Sequence, residues 1–432
     1  MSRAEASAGW QGAMRLEWKY GSSEVRFEIP DSNVASILEP RQLHRLPNPA
    51  KAIVEAMAYP IGADPLSSIV REGTRAAILV SDKTRPCPSY EIIPSVVSEL
   101  LRLGLKKSDI TIFFANGTHK GHAHDEQRTL VGQEIADNFR LVEHNCREEG
   151  NFVSLGKTTR GTEVSVNRRM LDNDLIIGVA NLDVHYFAGY SGGAKSIVPG
   201  MAAFHTIRQN HSLMLLPEAE AGVADGNPVR EDLEEAAGLA GLDFIVNVVL
   251  NDEREIVHVV AGHYVKAHRS GIPPNDYMYK TSVLERADIV VATVGGYPKD
   301  MSLYQAQKGL DNAARAVRDG GTIILLAECR EGLGDETFER WLMEADSPDS
   351  AIGRLKENFT PGGHKAFAIA RVAKRAQVIL VSNLASNVAR RAFMTPSNSI
   401  KEAMREAFNA QGRGASIILM PYAGSTLPCL SK

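Results

Sequence analysis

Eight apolar runs of strand length, separated by loops and amphipathic helical patterns, constrain this chain more than any other feature. They read AAILVS (76–81), ITIFFA (110–115), DLIIGVAN (174–181) and DFIVNVVL (243–250), then DIVVATVGG (288–296), TIILLAE (322–328), QVILVS (377–382) and ASIILM (415–420). Helical patterns lie near 89–103, 302–318, 364–375 and 397–410. Unbroken apolar runs belong to strands covered on both faces, and their alternation with helices implies layered α/β sheets rich in parallel pairs.

At 432 residues the chain exceeds what one core usually organises, so two α/β domains are expected. The second series of runs is Rossmann-like. In SGIPPNDYMYKTS (270–282), Pro273-Pro274 and their polar neighbours are expected to break both helix and strand, which marks the linker. The domains are then 1–275 and 276–432, with a last helix or tail able to pack back on the N-terminal domain. MRLEWKYGSSEVRFEIP alternates apolar and polar residues about a Gly-Ser-Ser turn and reads as an N-terminal β-hairpin that serves as scaffold. No internal repeat or low-complexity segment is visible.

The charge balance excludes some functions. Lys plus Arg number 48 against 52 Asp plus Glu, with no long basic run, which argues against a nucleic-acid partner and for small-molecule chemistry. Cys87, Cys146, Cys329 and Cys429 are far apart and form no CxxC pair, as suits structural thiols in a reducing compartment. No secretory h-region opens the chain and no eighteen apolar residues run together, so a cytoplasmic location without a membrane partner is expected.

In open α/β sheets ligands bind beyond the carboxyl ends of strands, which directs attention to the loops after the apolar runs. DKTRPCP follows AAILVS, an acid, two bases and a hydroxyl that read equally as a helix-entry turn with solvated charges. NGTHKGHAHDE follows ITIFFA. Its H-x-x-H-x-H spacing lacks the i, i+4 geometry of a helical zinc site and no cysteine pair lies nearby. His122 and His124 read as surface or capping residues, whereas His119, nearest the strand end, is the functional candidate.

HYFAGYSGGAKSIVPG (185–200) follows DLIIGVAN after a short spacer. Gly189 to Ser196 nearly fits the P-loop pattern, but Ala194 replaces its last glycine, the strand ends well before Gly189, and Pro199-Gly200 interrupts the helix that should carry the phosphate-binding amides. What survives is that Ser191, Gly192 and Gly193 can bring backbone amides to an anion with Lys195 beside them, so a phosphate-bearing ligand fits. Downstream, AAFHTIRQNHS is helical in pattern and carries His211, which could merely cap that helix. In the second domain GGYPKDMSLYQAQKG places Gln305 and Lys308 one helical turn apart, a spacing also common on solvated faces.

Taken together and in this order, DKTRP, NGTHKG, HYFAGYSGGAKSIVPG with its following NH, and YQAQKG resemble the lactate racemase family, the nickel-pincer-nucleotide enzymes. The specific motifs span residues from about 80 to 310. The resemblance implies a cofactor, the pyridinium-3-thioamide-5-thiocarboxylic acid mononucleotide with nickel, linked through a thioamide to Lys195, with the Ser191-Gly192-Gly193 amides near its phosphate. It implies His211 as the protein ligand of nickel, and imidazole suits that metal. Asp82 and Thr84 would bind the nucleotide's ribose or phosphate. By the same resemblance the reaction inverts the Cα of a 2-hydroxy acid by reversible hydride transfer through a 2-oxo acid. His119 and His185 would be the bases on its two faces. Arg85, Gln305 and Lys308 would hold the substrate carboxylate, which implies an active site in an interdomain cleft. Partners would be the 2-hydroxy acid and, transiently, the proteins that make the cofactor and insert nickel.

Two departures from lactate-converting members matter. Ala194 stands where a basic residue often precedes the lysine, and PGGHKAFAIA offers no tryptophan where those members set one against lactate. The only tryptophans are Trp10, Trp18 and Trp341, and His364 with Lys365 suggests a cationic end and a substrate larger or more polar than lactate. The plainer alternative is that these two residues merely begin a solvated helix. Other readings are a lactate racemase proper, a nickel-nucleotide carrier or sensor without turnover, and a degenerate P-loop NTPase.

Overall fold

The computed structural model describes residues 12–357, 360 and 362–431. The chain forms two compact units, Gln42–Met278 and a discontinuous one that joins the segment up to Arg41 to Tyr279 onward.

In Gln42–Met278 a six-stranded sheet runs in the order Ile256–Gly262, Phe244–Leu250, Leu175–Leu182, Ala76–Ser81, Ile110–Ala115, Arg140–Glu143. All pairs are parallel except that of Ile256–Gly262 with Phe244–Leu250. The expected runs become its central strands because their residues are buried on both faces. Helix Ser89–Arg102 lays Ile92, Ile93, Val96, Val97 and Leu100 on the core shared with Ile78, Val80, Ile112 and Phe114. The spacing of those five puts them on one helical stripe.

From Ala76–Ser81 the chain builds two strands outward on one side and then returns to place Leu175–Leu182 on the other. That reversal makes a topological switch point between Ala76–Ser81 and Leu175–Leu182, and the crevice beyond their carboxyl ends is where such sheets bind ligands.

The other unit holds six parallel strands in the order Thr395–Ser397, Gln377–Val381, Val317–Leu326, Ala287–Thr293, Ile417–Met420, Val34–Ile37. The expected hairpin forms from Ala13–Tyr20 and Ser23–Pro30. Gly21 sits in its turn at φ +55°, the left-handed region that a two-residue hairpin turn requires. The hairpin is core as well as scaffold: Trp18, Phe27 and Ile29 pack with Ile289, Ile324 and Ile417.

Three expectations need correction. The division falls at 278/279, where 275/276 was expected, and the N-terminal segment belongs with the C-terminal unit. Its apolar hairpin face and the short strand Val34–Ile37 find their partners there. The C-terminal tail pairs Leu427–Leu430 with Lys280–Val283 inside that same unit. Pro273-Pro274 does not break the helix but lies in the first turn of Ile272–Tyr279, where a missing N–H leaves no intrahelical bond unmade. Trp10 lies outside the described residues. No helix among the described residues is long and apolar enough to cross a membrane.

Candidate functional site

The loops after Ser81, Ala115 and Leu182 meet at the switch point, and hydrogen bonds tie them together. Asp82 is 4% exposed and faces three groups. His119 Nδ1 lies 3.1 Å from Asp82 Oδ2, the Thr84 amide donates to Asp82 Oδ1 at 2.8 Å, and Arg85 Nε stands 3.9 Å from Oδ2. Burial alone would raise the Asp82 pKa, but His119, Arg85 and Thr84 outweigh it and hold the carboxyl at about 2. Thr84 Oγ1 also reaches His119 Nδ1 at 3.3 Å. The Gly117 amide donates to the Gly200 carbonyl at 3.0 Å, which fastens the loop of His119 to the segment after Lys195.

A second group forms around the Phe187 ring. His185 lies edge-on to it with centroids 4.6 Å apart, His211 likewise at 5.1 Å, and Lys195 Nζ lies 5.7 Å from its centroid. His211 comes from the last turn of helix Phe204–Ser212, and its Nδ1 is 3.1 Å from Asn210 Oδ1. The Ala188 amide donates to His185 Nδ1 at 3.3 Å.

Burial, then the charges of Arg85 and Arg230, push the Lys195 pKa well below the ordinary lysine range. Burial, then Lys195, Arg85, His211 and Arg230, does the same to His185. At neutral pH the imidazole is uncharged and the amine is readily deprotonated, the state in which each is a base or nucleophile.

The turn between these groups is fixed by contacts that the spacing of the motif did not reveal. Gly192 sits at φ +71°, and an added Cβ would lie 2.7 Å from Asn247 Oδ1, so the turn needs glycine there both for its backbone angle and for space. The Gly193 amide donates to Asn247 Oδ1 at 2.7 Å and the Ser191 amide to the Asp183 carbonyl at 2.7 Å. Ser191 Oγ donates to the Asn181 carbonyl at 2.9 Å and accepts from the Asp183 amide at 2.9 Å. Of the Ser191-Gly192-Gly193 amides expected near a phosphate, those of Ser191 and Gly193 are therefore engaged in holding the turn itself. The P-loop reading also fails in shape, since Gly193–Ser196 is a four-residue 3-10 turn where the phosphate-binding helix should begin.

Residues that sequence reasoning missed do much of the positioning. Arg230, on helix Pro228–Leu239, is wholly buried and donates to the carbonyls of Ala188, Tyr190 and Gly192. His268 Nε2 is 2.8 Å from the Ser191 carbonyl. Asn247 had a visible signal, a polar residue in the middle of FIVNVVL. Arg230 had none, because a charged residue in a helical segment ordinarily reads as solvated.

His122 is corrected as well. Its side chain is fully buried, accepts from the Lys83 amide at 3.2 Å and lies 3.1 Å from Glu143, so it ties two loops together rather than capping or facing solvent. His124 is exposed, as expected. Among the described residues, no three His, Cys, Asp or Glu side chains gather as a metal site.

In the other unit, Gln305 and Lys308 lie on helix Leu303–Ala316, with Gln305 exposed and Lys308 half-buried. Lys365, on helix Gly363–Ala373, places Nζ 3.9 Å from the Tyr304 ring centroid and donates to the Tyr304 carbonyl at 2.5 Å. His364 accepts from the Gly362 amide at 3.1 Å, and burial, then Lys365, lowers its pKa to about 3. At neutral pH the His364 ring is therefore uncharged. Trp341 is buried beneath Gly363, where an added Cβ would come within 2.5 Å of its ring.

Imidazoles, a guanidinium and a lysine of lowered pKa thus meet at the switch point of a parallel sheet, groups able to do acid–base chemistry. The lactate racemase N-terminal domain matches residues 20–222 and the lactate racemase C-terminal domain residues 283–427. Lactate racemase of Thermoanaerobacterium thermosaccharolyticum is 31% identical over 423 residues, covering 95% of this chain and 98% of that protein. Lactate racemase of Lactiplantibacillus plantarum is 32% identical over 417 residues, covering 94% and 97%. The structure of the lactate racemase apoprotein from T. thermosaccharolyticum matches with a TM-score of 0.89 and 31% identity, over 96% of this chain and all of that one. A Thermotoga maritima protein at 17% identity shares the fold, with a TM-score of 0.62 over 88% of this chain and 98% of its own. The chain belongs to the lactate racemase family, and so to the isomerases.

Proposed function

We propose that this chain is a racemase or epimerase of a 2-hydroxy acid and carries a nickel-pincer nucleotide on Lys195. The observation that carries the reading is the gathering of His185, Lys195 and His211 about Phe187, with the Asp82–His119 pair on the neighbouring loop. A carrier without turnover would need Lys195 and His211 but not two further imidazoles.

The residues fit the group. Asn247 is fully buried and its Nδ2 has no hydrogen-bond partner among the described residues, so a donor without an acceptor there stands beside the Gly192-Gly193 turn. Lys195 would be the attachment point and His211, its ring oriented by Asn210, the protein ligand, with nickel taking its other donors from the nucleotide. When bound, that group supplies a reversible acceptor for the Cα hydride. Asp82 and Thr84 then orient His119 as well as lining the nucleotide.

His119 and His185 take and return the proton of the α-hydroxyl on the two faces. Lys195 and Arg85 are the foremost charges depressing the His185 pKa. A bound carboxylate offsets the charge of Arg85, which raises the His185 pKa from its depressed value.

Arg85, its side chain 41% exposed and only loosely tethered at 3.9 Å to Asp82, is the carboxylate ligand. Gln305 and Lys308 are assigned to the same carboxylate on the resemblance alone. The reduced thiols of all four cysteines suit a cytoplasmic enzyme loaded by cofactor-making and nickel-inserting proteins.

The test is intact-mass measurement after coexpression with those proteins. A covalent adduct is expected on the native chain and absent from Lys195→Ala; an adduct on both removes the assignment. For Arg85→Ala, KM should rise about tenfold to a hundredfold, the worth of one charge-assisted hydrogen bond, with nickel content unchanged. An unaltered KM would move Arg85 to the cofactor.

The substrate is read as larger or more polar than lactate, now on Lys365 alone because His364 is neutral. The kcat/KM for dicarboxylic or hydroxylated 2-hydroxy acids should exceed that for lactate on the same loaded protein. Lactate turned over best would make the chain a lactate racemase proper.

A further inference from the structure

At the opposite end of the Gln42–Met278 sheet from the loops just described lies a cavity of about 180 Å³ that the proposed reaction does not use. It sits over the amino ends of Ile110–Ala115 and the edge strand Arg140–Glu143. Thr111 pairs with Arg140 and Phe113 with Val142, and the two-residue alternation sends all four side chains to one face. Phe113, Val142 and the Thr111 side chain are buried and make an apolar floor with one hydroxyl.

Three arginines line it, Arg75, Arg140 and Arg169. Their own partners are weak. Arg75 stands 3.7 Å from Asp174 and Arg169 3.5 Å from Glu148, with all four side chains between 39% and 58% exposed. The Arg140 side chain makes no ion pair or hydrogen bond among the described residues. Of the two acids in the lining, Asp109 already accepts from the Lys106 amide at 2.8 Å and the Ser108 hydroxyl at 3.2 Å, and Asp172 is solvent-exposed. Exposed pairs at such distances contribute little, so an arriving anion displaces almost nothing.

We propose that this cavity binds a small phosphate monoester, its phosphate held by Arg75, Arg140 and Arg169 and its organic part on Phe113 and Val142. Planar guanidinium forks match phosphate oxygens two at a time, and three of them exceed what a single carboxylate can use. The volume admits a phosphate with a few carbon atoms. The site is independent of the proposed reaction.

Calorimetric titration of the full chain with glycerol phosphate tests it, with inorganic phosphate and succinate as comparisons. Glycerol phosphate is expected to bind most tightly, and Arg140→Ala to weaken it by about tenfold or more, the loss of one charge-assisted hydrogen bond. Because the proposed cofactor site also suits phosphate, hydrogen exchange locates the binding. Slowed exchange is expected at 108–113 and 169–173. Protection confined to 185–200, unchanged affinity in Arg140→Ala, or succinate binding as tightly as glycerol phosphate would each overturn the assignment. No heat with any phosphate probe would do so as well.

Discussion

Removing the imidazole of either His119 or His185 is expected to slow racemisation of cofactor-loaded protein by about 10²–10⁴-fold, the usual loss for one general acid–base group. Nickel content should stay at the level of the unaltered chain, since neither residue is the proposed ligand. The two variants should nevertheless differ at low pH. His119→Ala takes from Asp82 the partner that does most to hold its pKa at about 2. A carboxyl depressed in the folded state contributes stability that is full above its unfolded pKa of about 3.9 and is lost as pH falls through the folded value. With His119 gone that folded value rises, so the contribution shrinks and disappears at a higher pH. His185→Ala, with no such bond to Asp82, should leave acid stability nearer the original. Parallel rate and acid-unfolding measurements check both points. Turnover near the original in either variant would defeat the two-base scheme.

Replacing Arg230 by methionine is expected to lower both stability and activity, although this side chain touches none of the proposed reacting atoms. It leaves the carbonyls of Ala188, Tyr190 and Gly192 without their donor inside the protein, at about 1–3 kcal/mol for each group that water cannot reach. For a unit of this size each kcal/mol lowers Tm by about 2–4 °C. The same carbonyls belong to the turn that carries Lys195 and flanks His185, so the loading of cofactor should fall as well. Arg230→Lys should recover little of either, because an ammonium cannot span three carbonyls as the planar fork does. Calorimetry and adduct mass on the two variants measure the separate effects. A lysine variant as stable and as well loaded as the unaltered chain would mean that charge, not the fork, matters.

The extent to which structure was legible in the sequence differs by element. AAILVS and ITIFFA gave strands with the bounds read from them, because continuous apolar runs leave a buried strand few alternatives. Pro273-Pro274 misled because proline stops a helix only past its first turn. Val34–Ile37 was invisible: four residues carry no periodicity, and their partner Ile417–Met420 lies at the other end of the chain. At the candidate site, the loops were found through the topology rule, but which amides would be free was not. Ser191 and Gly193 are engaged by Asp183 and by Asn247, and the latter lies on a strand some fifty residues downstream. The burial that makes His122 structural and Arg230 a scaffold likewise depends on packing that no local pattern records.

The discontinuous unit has a consequence for synthesis. Asn33 bonds to the carbonyls of Arg413 and Ala415, and 380 positions separate it from the first of these. A nascent chain therefore presents the hairpin, with the apolar faces of Trp18 and Phe27, long before the ribosome has made the strands that cover them. Gln42–Met278 can fold vectorially once its last strand emerges, whereas the other unit must wait until translation reaches Ile417–Met420. During that wait the hairpin needs either chaperone protection or a slowly aggregating solution. Placing the codons for residues 1–41 after that for residue 432 would make both units contiguous and shorten the exposure.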